Sequence, residues 1–368
     1  MIGSIDVFRT ALLAWYDAHA RDLPWRGDNT PYHTWVSEIM LQQTQAATVI
    51  PYYLRFIERF PTVQTLADAP IDEVLKLWEG LGYYRRAHNL HQAARIIVAQ
   101  HDGQLPRDEK ALLALPGVGR YTAGAIRSIA FGAPAPVLDG NVKRILARLD
   151  DISASIDLRE TEKALWARAT ALISHQRPGD FNQALMELGA TVCLPATPAC
   201  AACPVADFCA AQAQGVQMQR PVRTPKKRIP HYDVAAGVVW HADDPKRFLI
   251  AQRPAAGMLG GMWEFPGGKQ EPGESLPQTL ARELMEELGI QVTVGEKLTV
   301  VKHAFTHFRI TLHAFHARHV SGEPQCLGVD DWRWVTLEEA AVFAMAKTDR
   351  AIIAKLRKSE CECVSMSV

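Results

Sequence analysis

The chain has 368 residues, 48% of them hydrophobic and 22% charged, which is length enough for two or three separately cored domains of ordinary globular composition. Its 40 basic residues balance its 40 acidic ones, so bulk charge cannot recruit a polyanionic partner. There is no run of eighteen apolar residues and no small-residue cleavage site near the N-terminus. A membrane span and a secretory signal are both unsupported, and a cytoplasmic monomer is expected.

From Val7 to about Gln212 the apolar pattern is helical almost throughout. Arg85 to Gln100 sets Leu90, Ala94 and Ile97 on one face, and Thr161 to Ser174 does the same with Leu165, Ala169 and Leu172. Within this region Leu115 to Asp139 reads as helix, tight Pro-Gly-Val-Gly turn, helix, and a carboxylate after a Pro-rich turn. Gly117 and Gly119 can bring backbone N–H groups against a ligand, and the helix start that follows suits a phosphate. The same pattern also serves as a plain packing turn. Ala123, Gly124, Ala125, Ser128 and Ala130 allow close approach, and Asp139 can cap a helix starting near Asn141.

Cys193, Cys200, Cys203 and Cys209 follow at C-x6-C-x2-C-x5-C spacing, too dense for unrelated thiols. Four thiolates can hold either a tetrahedral zinc or an iron–sulfur cluster. Cys326, Cys361 and Cys363 show no such grouping.

The pattern changes after Arg220 to Arg228, a basic stretch with two prolines that reads as an extended linker able to touch phosphate. Asp233 to Trp240, Lys246 to Arg253, Leu298 to Phe305 and Arg309 to Arg318 read as strands, and Pro277 to Leu288 as a helix. Residues 1–231 hold 25 Lys+Arg against 22 Asp+Glu, and residues 232–368 hold 15 against 18, so the two halves carry opposite net charges. The expected division is a helical domain over 1–213, a linker over 214–231, an α/β domain over 232–357 and a tail over 358–368.

In the second domain Gly268, Glu274, Arg282, Glu283, Glu286, Glu287, Gly289 and Ile290 fill every position of a Nudix box. Glu283, Glu286 and Glu287 share one helix face, an arrangement suited to Mg²⁺ with phosphate oxygens. The same face serves equally well as solvated surface.

The hairpin LPGVGRYTAG, the carboxylate in VLDGNVKR and the cysteine spacing together resemble the helix-hairpin-helix DNA glycosylases that carry a [4Fe-4S] cluster. LPWR, SEIMLQQTQ, GLGYYRRA and FNQALMELGA narrow the resemblance to adenine DNA glycosylases of the MutY type, with a C-terminal Nudix-like domain. The implied fold is an all-α glycosylase domain with a cluster loop, followed by an α/β Nudix-like domain. The implied reaction is hydrolytic removal of adenine from double-stranded DNA, where it lies opposite 8-oxoguanine or guanine. Nucleoid association on DNA would follow.

The resemblance makes Glu38 the acid that protonates adenine and Asp139 its partner at the sugar, oriented by Asn141. Two carboxyls in different environments are what glycosidic cleavage requires. It makes Gln42 and Tyr83 the residues that fill the gap left by the flipped base, with Trp25, Arg26 and Glu187 lining the adenine pocket. Phe305, Thr306 and His307 fall in the segment HAFTHFRI, which matches the lesion-contacting loop, with Thr306 where serine is common. Tyr121 stands where strand-cutting relatives carry a lysine, so little lyase activity is expected. The competing assignments are an endonuclease III-like glycosylase, a nucleotide pyrophosphatase tethered to DNA, and a non-catalytic damage binder.

Overall fold

The computed structural model describes residues 5–225 and 229–365, with side chains described as far as residue 359. Lys226, Lys227 and Arg228 of the expected linker, and the side chains of Cys361 and Cys363, lie outside the described residues. The chain forms two compact units, one of residues 1–68 and 89–226, the other of residues 69–88 and 227–368. Residues 69–88 thus group with the second unit, although their apolar pattern continues that of the helical region around them.

The first unit is helical: α1 (Ile5–His19), α2 (Pro31–Leu41), α3 (Ala46–Arg59) and α4 (Val63–Asp68) come first. After α5 (Ile71–Trp78), which belongs to the second unit, α6 (Arg85–Gln100) leads back to α7 (Glu109–Ala114) and α8 (Arg120–Ala125). A π-helical turn (Ile126–Ala130) precedes α9 (Gly140–Leu149), α10 (Arg159–Leu172), α11 (Pro178–Thr191) and the short α12 (Ala210–Ala213). Phe8 and Leu12 of α1 pack with Val142, Ile145 and Leu146 of α9 and with Phe181, Leu185 and Leu188 of α11. The apolar stripe of each helix is thereby buried, which is what stabilises short helices.

α2 starts with Pro31 at its first position and Thr30 as N-cap, whose hydroxyl accepts from the His33 N–H at 3.2 Å. It is buried on nearly every side, from Thr34 through Met40, and so carries Glu38 into the protein interior. The expected close packing of the small residues is found at Gly124, where a Cβ would lie 2.3 Å from the Pro136 carbonyl oxygen.

The described part of the basic stretch is tied down. Arg220 pairs with Asp151 at 2.8 Å, the Ile156 N–H donates to the Val222 carbonyl at 3.0 Å, and the Thr224 N–H donates to Asp157 at 2.9 Å.

In the second unit one seven-stranded sheet is built from β1 (His231–Trp240), β2 (Phe248–Gln252), β3 (Trp263–Glu264), β4 (Gly267–Lys269), β5 (Gln291–Ala304), β6 (Arg309–Ser321) and β7 (Asp331–Val335). The main order is β3-β2-β1-β6-β5, with β4 paired to β1 and β7 to β2. Among the described strand pairs only β1–β6 is parallel, from His231 opposite Arg309 to Trp240 opposite Arg318. Alternate residues face opposite sides. Ala236, Val238, Phe248 and Ile250 pack with Ile352, Ile353 and Leu356 of α14 (Lys347–Ser365), while Ala235, Val239, Leu249 and Ala251 pack with Leu280, Leu284 and Leu288 of α13 (Leu276–Leu288). Two covered faces explain why the β1 sequence is apolar without alternation. α14 continues past residue 357 to Ser365, where the sequence reading placed the start of a tail.

Candidate active site

A cavity of about 1120 Å³ opens in the first unit, lined among others by Trp25, Arg26, Glu38, Gln42, Gly117, Gly119, Tyr121, Asp139, Asn141 and Glu187. Ten of the residues singled out from the sequence therefore meet at one site, drawn from α2, α8, α9, α11 and the segments flanking them.

Glu38 is 5% exposed, and burial pushes its carboxyl up to about 7. The Tyr121 hydroxyl donates to Glu38 Oε2 at 2.5 Å and favours the ionised form, while the nearby Asp139 charge disfavours it. Tyr121 also lies 3.2 Å from Met186 Sδ, and its own phenol is held well above its ordinary value, so it stays a proton donor.

Asp139 caps α9. Its Oδ1 accepts from the Val142 N–H at 2.7 Å and its Oδ2 from Asn141 Nδ2 at 3.0 Å. Burial raises its pKa, and these donors act against that rise. Asn141 is oriented in turn, because its Oδ1 accepts from Arg144 at 2.8 Å. Arg144 also donates to the carbonyls of Cys193 and Gly189, each at 2.8 Å.

Glu187 has a different character. Arg21 donates to both its oxygens, at 2.5 and 3.0 Å, and Arg26 to Oε2 at 2.8 Å. These two cations outweigh burial and hold the carboxyl below its ordinary value, so it lines the cavity as an anion already paired. Arg21 was missed in the sequence, as was Thr122, which accepts from Gln42 Nε2 at 3.1 Å. Both contacts cross eighty residues or more. Gly117 has φ +76°, and a Cβ there would lie 2.8 Å from Asn89 Cβ, so the turn needs glycine at this position. Gly119 is the N-cap of α8.

The four cysteines of the 193–209 segment line one small cavity beside Arg148. Arg148 donates to Cys193 Sγ at 3.2 Å and to the Leu194 and Pro195 carbonyls at 2.8 and 3.0 Å. Burial raises the Cys203 thiol to about 11, and the neighbouring sulfurs act in the same direction. Four soft donors around one cavity beside a buried cation, not gathered about a single ion, fit a larger metal–sulfur group whose positive charge would offset the crowding of anionic sulfur.

The second unit holds the remaining residues. Tyr83, 45% exposed and at φ +51°, follows Gly80 and Gly82 in a left-handed turn, and its hydroxyl lies 3.2 Å from Thr306 Oγ1. Phe305 packs between His303 and Phe308, with ring centroids 4.6 and 4.9 Å apart, and His307 is exposed. In the Nudix box Arg282 pairs with Glu274 at 2.7 Å, Glu283 at 3.1 Å and Glu286 at 3.0 Å. Glu287 remains apart from that arginine, and burial raises its carboxyl to about 7. Among the described residues no three His, Cys, Asp or Glu side chains are gathered tightly enough for a single metal ion.

Comparison with known proteins agrees with this geometry. Residues 36–170 match the model of the HhH-GPD superfamily of base excision DNA repair proteins, and residues 235–355 match the NUDIX domain. A solved thermostable thymine-DNA glycosylase, 33% identical, covers 57% of this chain and 97% of its own length, with a TM-score of 0.53. The helical unit with its paired-carboxyl cavity is thus that of a base-excision DNA glycosylase. Human adenine DNA glycosylase is 38% identical over 94% of this chain and 73% of its own length. The Schizosaccharomyces pombe protein of that name is 34% identical over 93% and 88%. The chain belongs to the adenine DNA glycosylase family.

Proposed function

We propose that this protein hydrolyses the N-glycosidic bond of adenine flipped out of duplex DNA, where the adenine lies opposite 8-oxoguanine or guanine. The observation that carries the reading is the pair of carboxyls at one cavity, Glu38 lifted to about 7 and Asp139 held by an N–H donor and an amide. At neutral pH a large share of Glu38 is protonated, so it can give a proton to the departing purine. Tyr121 keeps the carboxyl in place through its hydrogen bond. Asp139 faces the sugar as the carboxylate and stabilises the positive charge that develops there as the bond breaks.

The paired Glu187 with Arg21 and Arg26, together with Trp25, forms the wall against which the base rests. Gly117 and Gly119 offer backbone N–H groups to a phosphate, Gln42 fills the gap left by the flipped base, and Tyr83 wedges beside 8-oxoguanine. No lysine stands at position 121, so no amine is available there for a Schiff base and the strand stays intact.

Cys193, Cys200, Cys203 and Cys209 would hold a [4Fe-4S] cluster, which when bound cross-links the 193–209 segment through iron–thiolate bonds. In the second unit we read Phe305, Thr306 and His307 as the loop that reads 8-oxoguanine. Arg282 supplies the acidic face of the Nudix box with its own cation, which supports a structural role for the box over hydrolysis.

Single-turnover release of adenine tests the proposal. Fast release from a duplex with adenine opposite 8-oxoguanine is expected, slower release opposite guanine, none of thymine opposite guanine, and loss of release with Glu38→Gln. An intact, cluster-loaded protein that leaves the first duplex untouched would refute it.

A further inference from the structure

Between the π-helical turn and α9, the residues from Gly132 to Leu138 adopt no regular structure, yet they end directly on Asp139. Such a segment has no hydrogen-bond ladder of its own, and its buried polar groups must find partners elsewhere. The Ala133 and Ala135 N–H groups donate to the Arg127 and Ala133 carbonyls at 2.8 and 2.7 Å, and the Val137 N–H and the Ala135 carbonyl, nearest Asp139, both find their partner on one side chain. Asn182, on α11 and 1% exposed, accepts from the Val137 N–H through Oδ1 at 3.3 Å. Its Nδ2 donates to the Ala135 carbonyl at 2.8 Å and to Ser128 Oγ at 2.8 Å. The amide orientation is fixed by these partners, since a carbonyl can only accept and an N–H can only donate. Ser128 passes the contact on by donating to the Gly124 carbonyl at 2.8 Å.

Two close approaches confine this segment and the turn before it. A Cβ on Gly124 would lie 2.3 Å from the Pro136 oxygen, and one on Gly179 would lie 2.8 Å from the Ser128 oxygen. The segment is therefore pressed against α8 on one side, while α11 lies against the π-helical turn. One carboxamide joins three elements: the turn following the helix of Tyr121, the strand-like approach to Asp139, and the helix that one turn later carries Met186 and Glu187.

We propose that Asn182 is the positioning residue for Asp139, fixing the height at which its carboxylate enters the cavity relative to Glu38 and Tyr121. The inference rests on the role of Asp139 given above. It assigns no contact with DNA to Asn182, only the placing of a group that makes one.

The test compares Asn182→Ala, Asn182→Asp and Ser128→Ala in the full-length, cluster-loaded protein. Asn182→Asp keeps the volume and the acceptor but loses both N–H donors. For each variant the single-turnover rate of adenine release is measured per active site, together with duplex affinity and melting temperature. The expected result is a rate lower by about 100-fold for either Asn182 variant, with duplex Kd within about threefold of the parent. Ser128→Ala should cost roughly tenfold in rate, since one of the three bonds is lost.

If the melting temperature falls while the rate per active site stays at the parent value, Asn182 is only a packing residue and the inference is overturned. Should Asn182→Ala fail to fold, Asn182→Asp and Ser128→Ala decide by the same criterion. Asp139→Asn is measured alongside. If it retains the parent rate, the role of Asp139 falls and this inference with it. If it is inactive while the Asn182 variants are not, only this inference falls.

Discussion

At the scale of single residues, Glu38 and Glu187 are two carboxyls in one cavity whose pKa values move in opposite directions: burial raises that of Glu38, while for Glu187 two guanidinium groups outweigh burial. Glu38 has a phenol beside it and another carboxyl nearby, and Glu187 has two guanidinium groups. Catalysis should therefore show a basic limb near pH 7: the rate of adenine release falls tenfold per pH unit above about 7, because only protonated Glu38 can donate. A pH-independent single-turnover rate between pH 6 and 9 would contradict this.

For Glu187 the sign is reversed. Its folded pKa lies below the ordinary 4.5, so its pairing stabilises the fold above about pH 4.5 and that contribution is lost as the pH falls through the lower value. Arg26→Met leaves one arginine on a buried carboxylate and should cost about 1–3 kcal/mol, read by denaturant unfolding at pH 7 and shrinking at low pH.

What the sequence disclosed at this scale were residues with spacing: the four cysteines, and Glu38 and Asp139 inside motifs. Arg21 and Asn182 were invisible as partners. An arginine near a Pro-Trp-Arg turn, or an asparagine on a helix, acquires its meaning only from a residue far away in the chain.

Among the elements, the hairpin of α7 and α8 with the segment that follows shows how small residues determine the site. The sequence marked the small residues of α8 as a close-packing face, and the structure shows what approaches it, the Pro136 carbonyl. Gly124→Ala forces that carbonyl to move, since its neighbours are backbone atoms and not flexible side-chain ends. We expect a loss of about 1–3 kcal/mol in stability, measured by thermal melting, from overpacking alone. Helix and strand types were legible because their apolar periods are local. The Arg85–Gln100 helix has the expected ends, whereas the strand expected from Leu298 begins at Gln291, since the pairing of β5 with β6 extends it beyond its apolar part.

Taken whole, the molecule forms two units whose boundary is not a single point in the chain. Residues 69–88 group with the second unit, which brings Tyr83 and Thr306 together across 223 positions. No local pattern carries that information, since the change from helical to strand periodicity marks one linker between two uninterrupted domains. If bond cleavage resides in the first unit and lesion reading in the second, Tyr83→Ala should lower the preference for adenine opposite 8-oxoguanine over guanine. The expected drop is roughly tenfold, the cost of one lost stacking contact. The release rate opposite guanine should stay nearly constant, and equal losses on both duplexes would refute the division.

Under the proposed function Asp139 would perform two duties with one carboxylate: an oxygen that closes the first turn of α9 and a charge that faces the sugar. Selection on folding and selection on chemistry therefore act on the same atoms. A descendant that had lost its chemistry would still be under pressure to keep a side-chain oxygen at this position, and asparagine is the neutral replacement that satisfies the helix. An asparagine here in an otherwise well-packed relative would thus mark a protein that drifted out of catalysis while keeping its fold.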